Sequence, residues 1–138
     1  MSNRRVQPGD LYAIPHGKVF GLAKVIFKLK SYRGVMLIRL YHERGSDPQG
    51  LRIPDPTAPG ALHYTWSSSS RDGDWIYLGK QAVTAEELAM TKRVWGDEVW
   101  IEDTHVGAAT EQDKKTLQHF SIYGCELLSQ ELTRNAGN

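Results

Sequence analysis

The stretch GDLYAIPHGKVFGLAKVIFKLK, residues 9 to 30, restricts the fold more than any other part of the chain. Gly9, Pro15, Gly17 and Gly21 punctuate it as the turns and strand breaks of an opening β-hairpin would. Its apolar residues also recur in twos: Ala23, Val25, Phe27 and Leu29 alternate with Lys24, Ile26, Lys28 and Lys30. That period belongs to a β-strand with one apolar and one mostly basic face. The expected order is a turn at Gly9-Asp10, a strand from Leu11 to Ile14 that Pro15 ends, and a reversal at His16-Gly17-Lys18. A second strand then runs from Val19 to Lys30. Gly21 inside it predicts a bulge or a sharp bend.

A turn at residues 31 to 34 leads to a third strand, Val35 to Tyr41, with Met36, Ile38 and Leu40 on one face. Residues 42 to 62 hold Pro48, Pro54, Pro56 and Pro59 and read as a long loop. Further strands are expected at Leu62 to Trp66 and Trp75 to Leu78, joined by a polar turn over 67 to 74. Thr84 with Glu87 forms a capping box and predicts a helix from Ala85 to about Lys92. Val94 to Asp103 read as one strand, and Thr110 with Asp113 predicts a second helix ending near His119. Cys125, Leu128 and Leu132 recur at helical spacing, so residues 123 to 133 are a helix or a strand.

The chain has 138 residues, the size of one domain, and residues 1 to 8 read as a flexible tail. The expected fold is β-rich α+β. It is a small SH3-like, strongly bent antiparallel sheet or partly open barrel, with two or three short helices toward the C-terminus. No apolar run approaches the ~18 residues that span a bilayer, and MSNRRVQPGD lacks the apolar centre of a secretory signal. Cys125 is the single cysteine, which suits a reducing compartment. A cytoplasmic protein is expected.

The formal net charge of +1 implies no general attraction to nucleic acid or membrane. Its distribution is uneven: residues 1 to 69 carry +6 and residues 70 to 138 carry −5. The five histidines show no HExxH spacing, and GxSxG, GxGxxG and GxxxxGK[ST] are absent. No catalytic residue, metal ligand or cofactor is assigned, and no enzyme is expected. Two patches stand out instead. In GDEVWIED, strand alternation puts Glu98, Trp100 and Glu102 on one face, with Asp103 next to them. Glu98 and Glu102 are then roughly 13 Å apart, too far for a hydrolytic carboxylate pair. Trp100 is either covered by a helix of its own fold or the anchor of an interface. The rival patch is Lys24, Lys28, Lys30, Arg33 and Arg39, with Tyr41 as its aromatic. It is either a solvated face that guards the sheet against edge pairing or a nucleic-acid surface.

GDLYAIP, a glycine turn and GLAKVI together resemble the N-terminal signature of the immunity protein 26 family of bacterial polymorphic toxin and contact-dependent growth inhibition systems. The resemblance is carried by Gly9, Asp10, Tyr12, Ile14, Pro15, Gly21, Lys24, Val25 and Ile26, and it extends over residues 9 to 41. It implies a barrel-like cytoplasmic protein that protects its own cell by stoichiometric binding to a cognate toxin domain. It implies no catalytic residues. The acidic residues around Trp100 would suit a basic nuclease toxin. The alternative function is a nucleic-acid-binding barrel.

Overall fold

In the computed structural model, which describes residues 5–53, 55, 58, 60–124 and 128, ten strands form two sheets. The first takes β1 (Asp10–His16), β2 (Val19–Lys28), β3 (Val35–Gly45), β4 (Gly60–Trp66), β5 (Ile76–Lys80) and β10 (Ile122–Tyr123), in the order β10-β4-β3-β2-β1-β5. The second takes β6 (Arg93–Trp95), β7 (Glu98–Ile101), β8 (Thr104–Ala108) and β9 (Gln118–His119), in the order β8-β7-β6-β9. The helices are short: α1 (Ser69–Asp72), α2 (Ala85–Ala89) and α3 (Glu111–Thr116). The β-rich α+β expectation is met, but both sheets are mixed rather than antiparallel. β10 runs parallel to β4, and β9 runs parallel to β6. The larger sheet does not close into a barrel, since β5 and β10 end it on opposite sides.

The opening Gly-Asp is a structural joint. Gly9 adopts φ +93, and a Cβ there would lie 2.8 Å from the Gln81 carbonyl oxygen, so only glycine fits. Its amide donates to the Val25 carbonyl and its own carbonyl accepts from the Gln81 amide. Asp10 is fully buried, and its carboxylate accepts from the Gln7 amide and the Tyr12 hydroxyl. This turn holds the preceding residues, and Val6 is 5% exposed in the core. Residues 1–4 of the expected tail lie outside the described residues.

Contrary to the expectation from sequence, Pro15 does not end β1; the strand continues to His16. β5 pairs only with Asp10 to Ala13, so the missing N–H of Pro15 falls where no ladder on that side needs it. The register of β2 on β3 shifts between Gly21 and Ala23, as Gly21 predicts, and again between Val25 and Phe27. These bulges bend the sheet. β2 and β3 are central and buried on both faces. Val25, Met36, Ile38 and Leu40 pack with Tyr12, Trp75 and Leu128, whereas Ile26, Leu37 and Tyr64 pack with Phe120 and Val83. Each such side chain contributes roughly 1.5–3 kcal/mol when fully buried.

The expected loop from 42 to 62 is shorter, because β3 runs to Gly45 and β4 starts at Gly60. The expected polar turn after β4 contains α1, and the helix expected to reach Lys92 ends at Ala89. The second helix ends at Thr116, and β9 follows it. Both predicted capping boxes form, Thr84 with Glu87 and Thr110 with Asp113. Of residues 123 to 133, only Tyr123, Gly124 and Leu128 are described; the Leu128 amide donates to the Gly124 carbonyl. Cys125 and Leu132 lie outside the described residues.

Candidate functional site

The expected single strand from Val94 to Asp103 is a hairpin. Trp95 pairs with Glu98 around Gly96-Asp97, with Gly96 at φ +65. A two-residue turn beginning with glycine twists as the flanking strands do. Gly-Asp between two apolar runs was the available signal. β7 then turns at Glu102-Asp103 into β8.

This hairpin separates residues that the sequence pattern groups together. Glu98 and Trp100 stay near one end. The Trp100 ring centroid is 5.7 Å from that of Trp95 and 5.4 Å from that of His105, and the Glu98 carboxylate meets His105 Nε2 at 2.5 Å. No helix supplies these ring contacts; Trp100 is half-buried against its own sheet. Trp95, Gly96, Asp97, Glu98 and Trp100 line a shallow depression of about 360 Å³. Asp97 is at its rim, paired with Lys114 of α3 at 3.0 Å. Sequence reasoning did not single out Trp95, Asp97 or His105, since their proximity depends on the unseen turn.

Glu102 and Asp103 serve the opposite end of β7. Glu102 has φ +52, and its backbone is held on both sides: its amide donates to Thr91 Oγ1 and its carbonyl accepts from Arg93. Asp103 Oδ1 accepts from the amides of Lys30 and Ser31 and from the Ser31 hydroxyl, all within 2.9 Å. Asp103 therefore ties the second sheet to the β2–β3 turn, and Glu102 is held by Thr91 and Arg93. Glu102 and Asp103 do not form one rim with Glu98 and Trp100.

The basic patch divides as well. Lys24 and Arg39 pair across β2 and β3, both buried, and meet Glu87 of α2. Lys24 Nζ donates to Glu87 at 2.7 Å, to Gln81 Oε1 at 2.8 Å and to the Ala82 carbonyl at 2.9 Å, which uses all three of its protons. Arg39 donates to the other Glu87 oxygen at 2.9 Å and to the Ala58 carbonyl. Burial pushes the Glu87 carboxyl upward, but hydrogen bonds from Lys24, the Thr84 amide and Arg39 outweigh it and hold the group below its ordinary value. Neither cation is a surface group. Tyr41, the aromatic of the expected patch, is buried beneath Arg39, whose guanidinium lies 5.3 Å from the ring centroid.

Lys28, Lys30 and Arg33 remain near the surface. With Arg5 and Arg71 they line a groove of about 1150 Å³ between the N-terminal segment, the β2–β3 turn and the start of α1. Lys28 donates to the Val6 carbonyl at 2.8 Å. Its pKa is lowered by burial and then by the charge of Arg5. Among the described residues no group of three His, Cys, Asp or Glu side chains could hold a metal ion, and no helix is long and apolar enough to cross a membrane. Compared with known proteins, the chain matches no family model, no curated protein and no solved structure.

Proposed function

We propose that this chain is an immunity protein that neutralises a toxin domain by stoichiometric binding, without catalysis. One observation carries the reading: the depression between Trp95 and Trp100, with the carboxylates of Asp97 and Glu98 at its edge. Asp97 meets Lys114 through Oδ1 and Glu98 meets His105 through Oε2, and each carboxylate has a second oxygen. Two indole rings beside these acids suit a lysine or arginine of a basic partner, which gains cation–π attraction and a charged hydrogen bond together. Aromatic anchors with a charged rim characterise protein interfaces whose association is fast. The resemblance of residues 9 to 41 to the immunity protein 26 family supports the same reading, and we read the bent β1–β2–β3 unit as SH3-like.

The test begins with the gene immediately upstream: a large secreted protein with a variable C-terminal domain is expected there, and that domain is the toxin to purify. The purified full chain should suppress its activity at a one-to-one ratio and bind it in titration calorimetry. Trp100→Ala and Glu98→Lys should each weaken binding by about tenfold or more. A toxin that keeps full activity in equimolar mixture sinks the proposal.

A further inference from the structure

The groove lies at the far end of the β7–β8 hairpin from Trp95 and is independent of the interface proposed above. Its cations come from three separate segments: Arg5 precedes the Gly9-Asp10 joint, Lys28, Lys30 and Arg33 flank the β2–β3 turn, and Arg71 lies in α1. Among the described residues, Arg5, Lys30 and Arg33 have no ion pair, and Arg71 meets only its exposed neighbour Asp72 at 3.5 Å. Like charges are thus brought together with few paired partners; burial first and then the charge of Arg5 lower the Lys28 pKa, with Asp10 opposing them.

Two carboxylates, Glu102 and Asp103, border the groove and offset part of its charge; five cations less these two leave the lining at +3. Asp103 is committed to the Lys30 and Ser31 amides and the Ser31 hydroxyl. The Glu102 side chain makes no ion pair among the described residues. The groove also offers aromatic surface: Tyr77 is 37% exposed, with its ring set edge-on to Tyr12 at 5.8 Å. Clustered cations beside an accessible ring match a ligand carrying phosphate and a flat heterocycle. The volume, about 1150 Å³, lies just above the roughly 300–1,000 Å³ of small-ligand pockets, so size does not bar a nucleotide.

We propose that this groove binds nucleotide phosphates, free or within a single strand, with phosphate held among Arg5, Lys28, Lys30 and Arg33 and a base set against Tyr77. The +1 net charge of the chain is no obstacle, because the attraction is local.

The full chain is titrated into a fluorescein-labelled single-stranded decanucleotide at low salt, with anisotropy as the readout and AMP, inorganic phosphate and poly-glutamate as competitors. Saturable binding is expected, with log K falling against log salt at a slope of about −0.7 per phosphate contacted. The double variant Lys30→Glu/Arg33→Glu should bind at least about tenfold more weakly, and Tyr77→Ala about fivefold. A charge-matched control, Lys92→Glu/Lys115→Glu, alters exposed lysines outside the groove and should stay near the parent protein. Arg71→Glu gives a second groove variant if the first double variant does not fold. AMP competing as well as the strand assigns a free nucleotide, and a much tighter strand assigns a polymer; both uphold the proposal. Four results overturn it: no saturable binding, equal loss in groove and control variants, inorganic phosphate matching AMP, or poly-glutamate matching the strand. The last would give the groove to an acidic protein segment.

Discussion

At Glu87 a carboxylate with 1% exposure balances two cations that are themselves buried. Removing one member of such a set leaves charge stranded where water cannot reach it, at a cost of about 3–5 kcal/mol. Glu87→Gln keeps the shape and loses the charge, so its unfolding free energy in urea should fall by about that amount. A pH dependence follows with a definite sign. Because the folded-state pKa is depressed, this stabilisation is complete above the unfolded value of about 4.3 and is lost as pH falls through the folded value. Urea midpoints of the parent protein should therefore drop steeply below about pH 4. In Glu87→Gln this part of the decline should be missing. Gly9 offers a second test. Alanine there combines a disfavoured φ with a 2.8 Å approach to the Gln81 carbonyl oxygen, so Gly9→Ala should destabilise by more than about 1 kcal/mol.

The β2–β3 turn and the β7–β8 turn are one unit because Asp103 caps the first from the second. Asp103→Ala removes three acceptor contacts at an exposed place where water partly replaces them, so a loss of about 1–2 kcal/mol is expected. Hydrogen exchange should quicken at the Lys30 and Ser31 amides while the Val25 and Ile38 amides, in buried strands, stay protected. Unchanged exchange at Lys30 and Ser31 in this variant would show that Asp103 does not hold the β2–β3 turn. α2 shows the same dependence on a distant partner. Its capping box sets its start, but five residues cannot form a stable helix alone, and it persists because Glu87 is bonded to β2 and β3. The box is legible in the sequence, whereas the bonds from Lys24 and Arg39 to Glu87 exist only in the folded chain.

The two sheets meet around Tyr64 and Arg93. Tyr64, on β4, donates its hydroxyl proton to the Thr91 carbonyl and packs against Phe120 at 4.9 Å. The Arg93 guanidinium lies 5.3 Å from the Tyr64 ring centroid and donates to the Thr91 and Glu102 carbonyls. Burial raises the Tyr64 hydroxyl to about 12, with Arg93 opposing the shift. A raised folded-state value means that the stabilisation is complete below the unfolded value of about 10 and lost as pH rises toward 12. The parent protein should lose on the order of 3 kcal/mol across that window, and Tyr64→Phe should remove much of the loss. At neutral pH, Tyr64→Phe should cost only about 1 kcal/mol, the worth of one hydrogen bond. The strands from β1 to β4, the bulge after Gly21 and both capping boxes were legible in the sequence. Each depends on neighbours a few residues apart, through side-chain alternation, glycine's backbone freedom or a hydroxyl reaching a nearby amide. The burial of Lys24 and Arg39, the division of Glu98 and Trp100 from Glu102 and Asp103, and the convergence of Arg5 and Arg71 on Lys28, Lys30 and Arg33 were decided by tertiary structure. Strand periodicity assigns a residue to a face, but what covers that face is set by segments far along the chain: Glu87 lies 63 residues from Lys24, and Asp103 lies 73 from Lys30.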